Sequence, residues 1–114
     1  MRTKTTLLLT GSLFFALSGL TSAHAAFDEA AAKAMAKKND CFKCHAPDKT
    51  KKGPSLKKIA AKYKEKKLGE KEAIKQMTEG KKVKLEDGTE EDHKTIETKD
   101  PKELSNMAQW ILSH

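Results

Sequence analysis

The 114-residue chain has two cysteines, three prolines, one tryptophan, one tyrosine and no arginine after Arg2. Each scarcity removes a class of answer. Two cysteines make one disulfide at most, so the dense disulfide framework of many small exported domains is excluded. Aromatic residues are 5% of the chain and are not interleaved with basic side chains, which argues against nucleic acid as a partner. The apolar stretch from Leu7 to Leu20 is broken by Thr10, Gly11, Ser12, Ser18 and Gly19, short of the about 18 consecutive apolar residues of a membrane span. There are no repeats and no linker, so one domain is the upper bound.

An export pattern stands at the start of the chain. Met1-Arg2-Thr3-Lys4 gives a positive beginning, Leu7 to Leu20 an apolar middle, and Ser22-Ala23-His24-Ala25 places small residues at the two positions that determine cleavage. The expectation is a signal peptide over residues 1–25, cut after Ala25, and a mature domain over residues 26–114 with no membrane span. Its side-chain balance would be two charges below the +7 of the whole chain, since Arg2 and Lys4 leave with the leader. So short a domain needs something besides apolar burial to hold it together.

Residues 41 to 45 read Cys41-Phe42-Lys43-Cys44-His45, the C-x-x-C-H pattern of covalent c-type haem attachment. Two thiols one helical turn apart suit addition across two vinyl groups of a porphyrin, and the adjacent histidine can reach the iron from one face. Competing readings are a redox-active dithiol, half of a zinc site, or a disulfide across the two-residue gap. The first lacks its βαβ context and the second a further Cys or His pair at suitable spacing.

Helical signals fill most of what remains. An alanine-rich helix is expected from Phe27 to Asn39, with Asp28 and Glu29 favouring the dipole of its first turn and Phe27, Ala31, Ala34 and Met35 sharing a face. Ser55 can cap a second, in which Leu56, Ile59, Ala60 and Tyr63 follow helical spacing. A third begins near Glu70, carries Ala73, Ile74 and Met77 on its apolar side, and stops at Gly80. The last has Asp100 as cap, Pro101 at its first position, Glu103 three residues after the cap, then a stripe of Leu104, Met107, Ala108, Ile111 and Leu112. Between Gly80 and Asp100 no helical period survives, and Val83 to Gly88 can form a small hairpin.

Taken together, the leading helix, the C-x-x-C-H pattern, Gly53-Pro54 a few residues on, two middle helices, a loop and a last helix with an aromatic residue resemble the small bacterial class I cytochromes c. The likeness covers essentially residues 27–114. It implies an all-α, cytochrome c-like fold of three to four helices around one covalently bound haem c, with the terminal helices crossing, in a periplasmic electron carrier with no catalytic residue. By the same likeness Cys41 and Cys44 carry the thioether bonds and His45 is the proximal iron ligand. The Pro54 carbonyl would bond the other nitrogen of His45, and Trp110 would pack the last helix against the first.

The sequence departs from the family where the second iron ligand is usual. The loop before the last helix reads Gly88-Thr89-Glu90-Glu91-Asp92-His93-Lys94-Thr95-Ile96 and has no methionine. Met35, Met77 and Met107 all fall on apolar helix faces, where methionine serves as core filler. His93 is therefore the expected distal ligand, giving bis-histidine ligation and a lower reduction potential than in His/Met relatives. The alternatives are a binder or sensor of a small ligand such as oxygen or nitric oxide, in which His93 is displaceable, and a cytochrome subunit of a larger oxidoreductase. Lysines 37, 38, 43, 49, 51, 52, 57 and 58 crowd the motif and suit acidic redox partners. Nothing in the sequence sets an oligomeric state.

Overall fold

The computed structural model describes residues 27–114; the expected signal peptide lies outside the described residues. The chain forms helix α1 (Glu29–Lys38), the single turn α2 (Cys41–Cys44), α3 (Leu56–Glu65), α4 (Glu70–Thr78), strands β1 (Lys82–Lys84) and β2 (Glu90–Asp92), and α5 (Pro101–Leu112). Local chemistry accounts for these boundaries. The carboxylate of Asp28 accepts from the Ala31 amide at the start of α1, the Ser55 hydroxyl from Lys58 at the start of α3, and the Asp100 carboxylate from Lys102 at the start of α5. Glu72 reaches back to the Gly69 N–H at 2.9 Å and so begins α4. Glu79 ends it, and Gly80 follows with a φ of 60°.

Two sequence expectations need correction. On α1 the buried residues are Ala32 and Ala36, with Phe27 and Met35 partly buried beside them, whereas Ala31 and Ala34 face solvent. The i, i+4 alanine pair is the flattest part of the helix and lets α5 approach closely. Glu103 makes no reciprocal capping bond with Asp100: it pairs with the Thr98 hydroxyl, and that hydroxyl in turn accepts the Asp100 N–H at 3.1 Å.

Helix α5 is the centre of the packing. It contacts α1, α3 and α4, and buries Leu104, Met107, Ala108 and Trp110. Its crossing with α1 is clamped by Asn106, whose side chain accepts the Asp28 N–H at 2.6 Å and donates to the Asp28 carbonyl at 2.9 Å. Burying Leu56, Met77 and Met107 contributes about 1.5–3 kcal/mol each relative to exposure. Yet Ala32, Ala36, Ala73 and Ala108 make up half of the eight-residue core cluster. The protein atoms alone bring little apolar bulk to the interior, and they leave a cleft.

Strands β1 and β2 pair antiparallel, Lys82 with Asp92, Val83 with Glu91 and Lys84 with Glu90, around a turn containing Asp87 and Gly88. The Asp87 carboxylate accepts from the Thr89 N–H at 2.9 Å. The loop before α5 thus has structure of its own, and β2 delivers the chain directly to His93.

Candidate functional site

The segment following α1 is bent sharply at Asp40, whose φ of 58° starts the one-turn helix that brings Cys41 and Cys44 onto adjacent levels. The His45 N–H bonds the Cys41 carbonyl at 3.0 Å, and His45 pairs with Thr50 in an isolated antiparallel bridge. The following loop closes back through Gly53 N–H to the Cys44 carbonyl at 2.9 Å and Leu56 N–H to the Ala46 carbonyl at 2.9 Å. Lys51 donates to the Phe42 carbonyl at 2.6 Å. Within this frame His45 Nδ1 lies 2.7 Å from the Pro54 carbonyl oxygen. A carbonyl only accepts, so Nδ1 carries a proton, and in the neutral ring that tautomer leaves the lone pair on Nε2.

Sequence reasoning missed why Gly53 precedes that proline. A Cβ at residue 53 would stand 2.9 Å from His45 Cε1, 3.2 Å from Nδ1 and 3.3 Å from the Cys44 carbonyl oxygen. Only glycine lets the backbone pass the imidazole this closely. The available signal was the glycine directly before the proline, and it reads equally well as an ordinary turn.

Across the cleft stands His93, its ring centroid 6.2 Å from that of His45 and its plane tilted by 41°. Its backbone N–H bonds the Lys81 carbonyl at 2.9 Å. The His93 side chain is half-buried, and its Nδ1 is the buried side-chain nitrogen or oxygen among the described residues that makes no hydrogen bond. Burial pushes the His93 pKa below the ordinary histidine value, and the neighbouring His45 adds to the shift. Burial thus disfavours the charged imidazole, and ligation requires the neutral form. Burial also raises the thiol pKa of Cys41.

The cleft that both rings line opens to solvent. Cys41, Leu56, Met77, Met107 and Trp110 line it, while Tyr63 and Gln76 bring polar groups to its wall. Phe42 meets the Trp110 ring edge to face, with centroids 6.2 Å apart, so the α2 turn leans on α5. Met35 lies on α1 and does not line the cleft; Met77 and Met107 are buried in its walls.

A covalent haem fits this donor set. Two thiols one turn apart stand beside an imidazole whose outward nitrogen is free, and a second imidazole lies across the cleft from it. A metal–imidazole bond is about 2 Å, so one metal between two rings separates their centroids by roughly 6 Å once the ring half-widths are added. The observed separation is 6.2 Å.

The profile of the cytochrome c family matches residues 29–114, and the chain belongs to that family, as a small class I c-type cytochrome carrying covalent haem c. Among solved structures it is similar to the class 1 cytochrome MtoD from Sideroxydans lithotrophicus ES-1. The two are 49% identical with a TM-score of 0.72, over 77% of this chain and 97% of that one. No curated protein matches its sequence. Family membership makes it a haem electron-transfer protein with redox partners. No helix among the described residues is long and apolar enough to cross a membrane.

Proposed function

We propose that this protein is an exported, periplasmic electron carrier whose haem iron is held by His45 on one face and His93 on the other, with Cys41 and Cys44 forming the thioether bonds. The observation that carries the reading is the pair of imidazoles with ring centroids 6.2 Å apart across an apolar cleft that begins at Cys41. The half-buried position of His93 supports it, because burial disfavours the charged form of the ring and a ligating imidazole must be neutral. When bound, the haem supplies a reversible one-electron change. The residues do the rest: Pro54 fixes the tautomer of His45, the apolar walls limit water, and His45 and His93 would hold the iron in both redox states. Residues 1–25 act as the leader that directs export.

Imidazole in place of methionine lowers the potential relative to His/Met relatives. Glu86, Asp87, Glu90, Glu91 and Asp92, exposed on the hairpin, push in the same direction by favouring the more positive iron. Exposed Lys49, Lys52, Lys57 and Lys58 give the motif side a positive surface that steers acidic redox proteins. Electron transfer to such a partner slows as salt rises; a rate independent of ionic strength removes the lysines from docking.

His93→Ala tests the ligation. The parent ferric protein is expected to be low-spin, and the variant high-spin or mixed; an unchanged spectrum takes His93 out of the coordination sphere. Carbon monoxide added to the reduced parent separates carrier from sensor, since fast, complete binding indicates a displaceable His93 and little binding a carrier.

A further inference from the structure

Asn39 is the last residue before the bend that begins α2, and it is 8% exposed. Its side-chain amide makes two hydrogen bonds of opposite sense. Nδ2 donates to the Met35 carbonyl in the last turn of α1 at 2.9 Å, and Oδ1 accepts the backbone N–H of Glu97 at 2.9 Å, across 58 residues of chain. The Met35 carbonyl only accepts and the Glu97 N–H only donates, so one orientation of the amide satisfies both.

That second bond lands on the loop carrying His93. The loop is otherwise fastened to the end of α4, through His93 N–H to the Lys81 carbonyl at 2.9 Å and Ile96 N–H to the Met77 carbonyl at 2.8 Å. On the α1–α2 side its other ties are ion pairs, Lys94 to Asp40 at 2.6 Å and Lys38 to Glu97 at 3.5 Å. Both pairs are exposed, and pairs of that kind contribute little. Asn39 supplies the half-buried, directional bond on that side. Two residues further on, the same junction enters the turn that places Cys41 and, through the Cys41 carbonyl, His45.

We propose that Asn39 is the positioning residue of the distal ligand: it ties the His93 loop to the junction that bears His45, so that one buried amide sets the separation of the two imidazoles. This rests on the reading of His93 as an iron ligand. Asn39 touches neither imidazole and acts only through the loop.

Four holoprotein variants test it, each scored by the high-spin fraction of the ferric spectrum, the carbon monoxide association rate of the ferrous protein and the thermal midpoint. His93→Ala sets the fully open limit. Asn39→Ala loses both bonds, and its carbon monoxide association should rise about three- to tenfold, the factor expected for one neutral hydrogen bond. Asn39→Asp keeps an acceptor for Glu97 but loses the donor to Met35, so its midpoint should fall while its association rate stays within about twofold of the parent. Lys94→Ala should match the parent in spin state. Asn39→Ala at the parent rate, with His93→Ala open, overturns the proposal, and so does Asn39→Asp opening the site. If Asn39→Ala yields no holoprotein, Asn39→Asp decides: a lowered midpoint with a parent-like rate upholds the proposal, and an opened site overturns it. A parent-like His93→Ala defeats instead the ligand assignment on which the inference rests.

Discussion

The two sides of the cleft are built to different standards. On the His45 side, residues 40–56 form a short closed frame: a one-turn helix, a bridge to Thr50, two backbone closures at 2.9 Å and a bond that fixes the ring from behind. On the His93 side the ring sits at the foot of a two-stranded hairpin, with no hydrogen bond behind it and its loop hung between α4 and Asn39. One imidazole is over-determined, and the other rests on a few separable contacts. Perturbations of equal chemical size should therefore act unequally, globally on the first side and locally on the second.

The largest effect is expected from Gly53→Ala. The new Cβ would meet the His45 ring at 2.9 Å and the Cys44 carbonyl at 3.3 Å, and neither a ring fixed through Nδ1 by the Pro54 carbonyl nor backbone can retreat cheaply. Overpacking at such a position costs about 3 kcal/mol, the upper part of the usual range. Guanidinium unfolding of the holoprotein, followed by far-ultraviolet circular dichroism, should show a lowered midpoint with a weakened low-spin spectrum. A midpoint equal to the parent's would mean that the frame yields, and the contrast between the two sides would fail.

The matched change on the other side is Gly80→Ala. Gly80 has a φ of 60°, and a Cβ there would lie 3.3 Å from the Thr95 methyl carbon and 3.6 Å from the His93 carbonyl oxygen. The methyl group can rotate away, so the cost is mainly the left-handed backbone, about 1 kcal/mol. The same titration should show a smaller midpoint loss than in Gly53→Ala, while carbon monoxide binding by the reduced protein should increase more. A larger stability loss at residue 80 than at residue 53 would reverse the comparison.

The same inequality governs what could be read from the amino acids. Cys41, Cys44, His45 and Pro54 lie within fourteen positions, and a contiguous motif carries its geometry with it. Ser55, Asp100 and the Leu104–Leu112 stripe were legible for a similar reason: capping and helical period are local rules. The buried face of α1 was not, because Ala31, Ala32, Ala34 and Ala36 have the same side chain and only the arrival of α5 selects Ala32 and Ala36. His93 could be proposed only from the lack of a methionine nearby. Its nearness to His45 depends on α4, a hairpin register and a bond from Asn39, all long-range in sequence. Asn39 itself looked like an ordinary polar residue at a helix end, and Glu97 carries no signal that its backbone N–H has a partner 58 residues away.

The smallest effect belongs to the exposed tie on the His93 side. Lys94, hydrogen-bonded at 2.6 Å, and then Lys43 hold the Asp40 carboxyl below its ordinary range. A carboxyl whose folded pKa is lowered adds stability that is fully present above its unfolded value and is lost as pH falls through the folded one. Lys94→Ala removes the first cause of that lowering. Parent and variant should thus differ slightly near neutral pH in thermal midpoint, begin to converge below about pH 4, where Asp40 is protonated in the unfolded chain, and meet once pH has fallen through the lowered folded value. Added salt should shrink the neutral-pH gap, since both partners are exposed. A gap that persists in acid, or a shift of spin state in Lys94→Ala, would make this ion pair more than a surface contact and would transfer to it the positioning role assigned to Asn39.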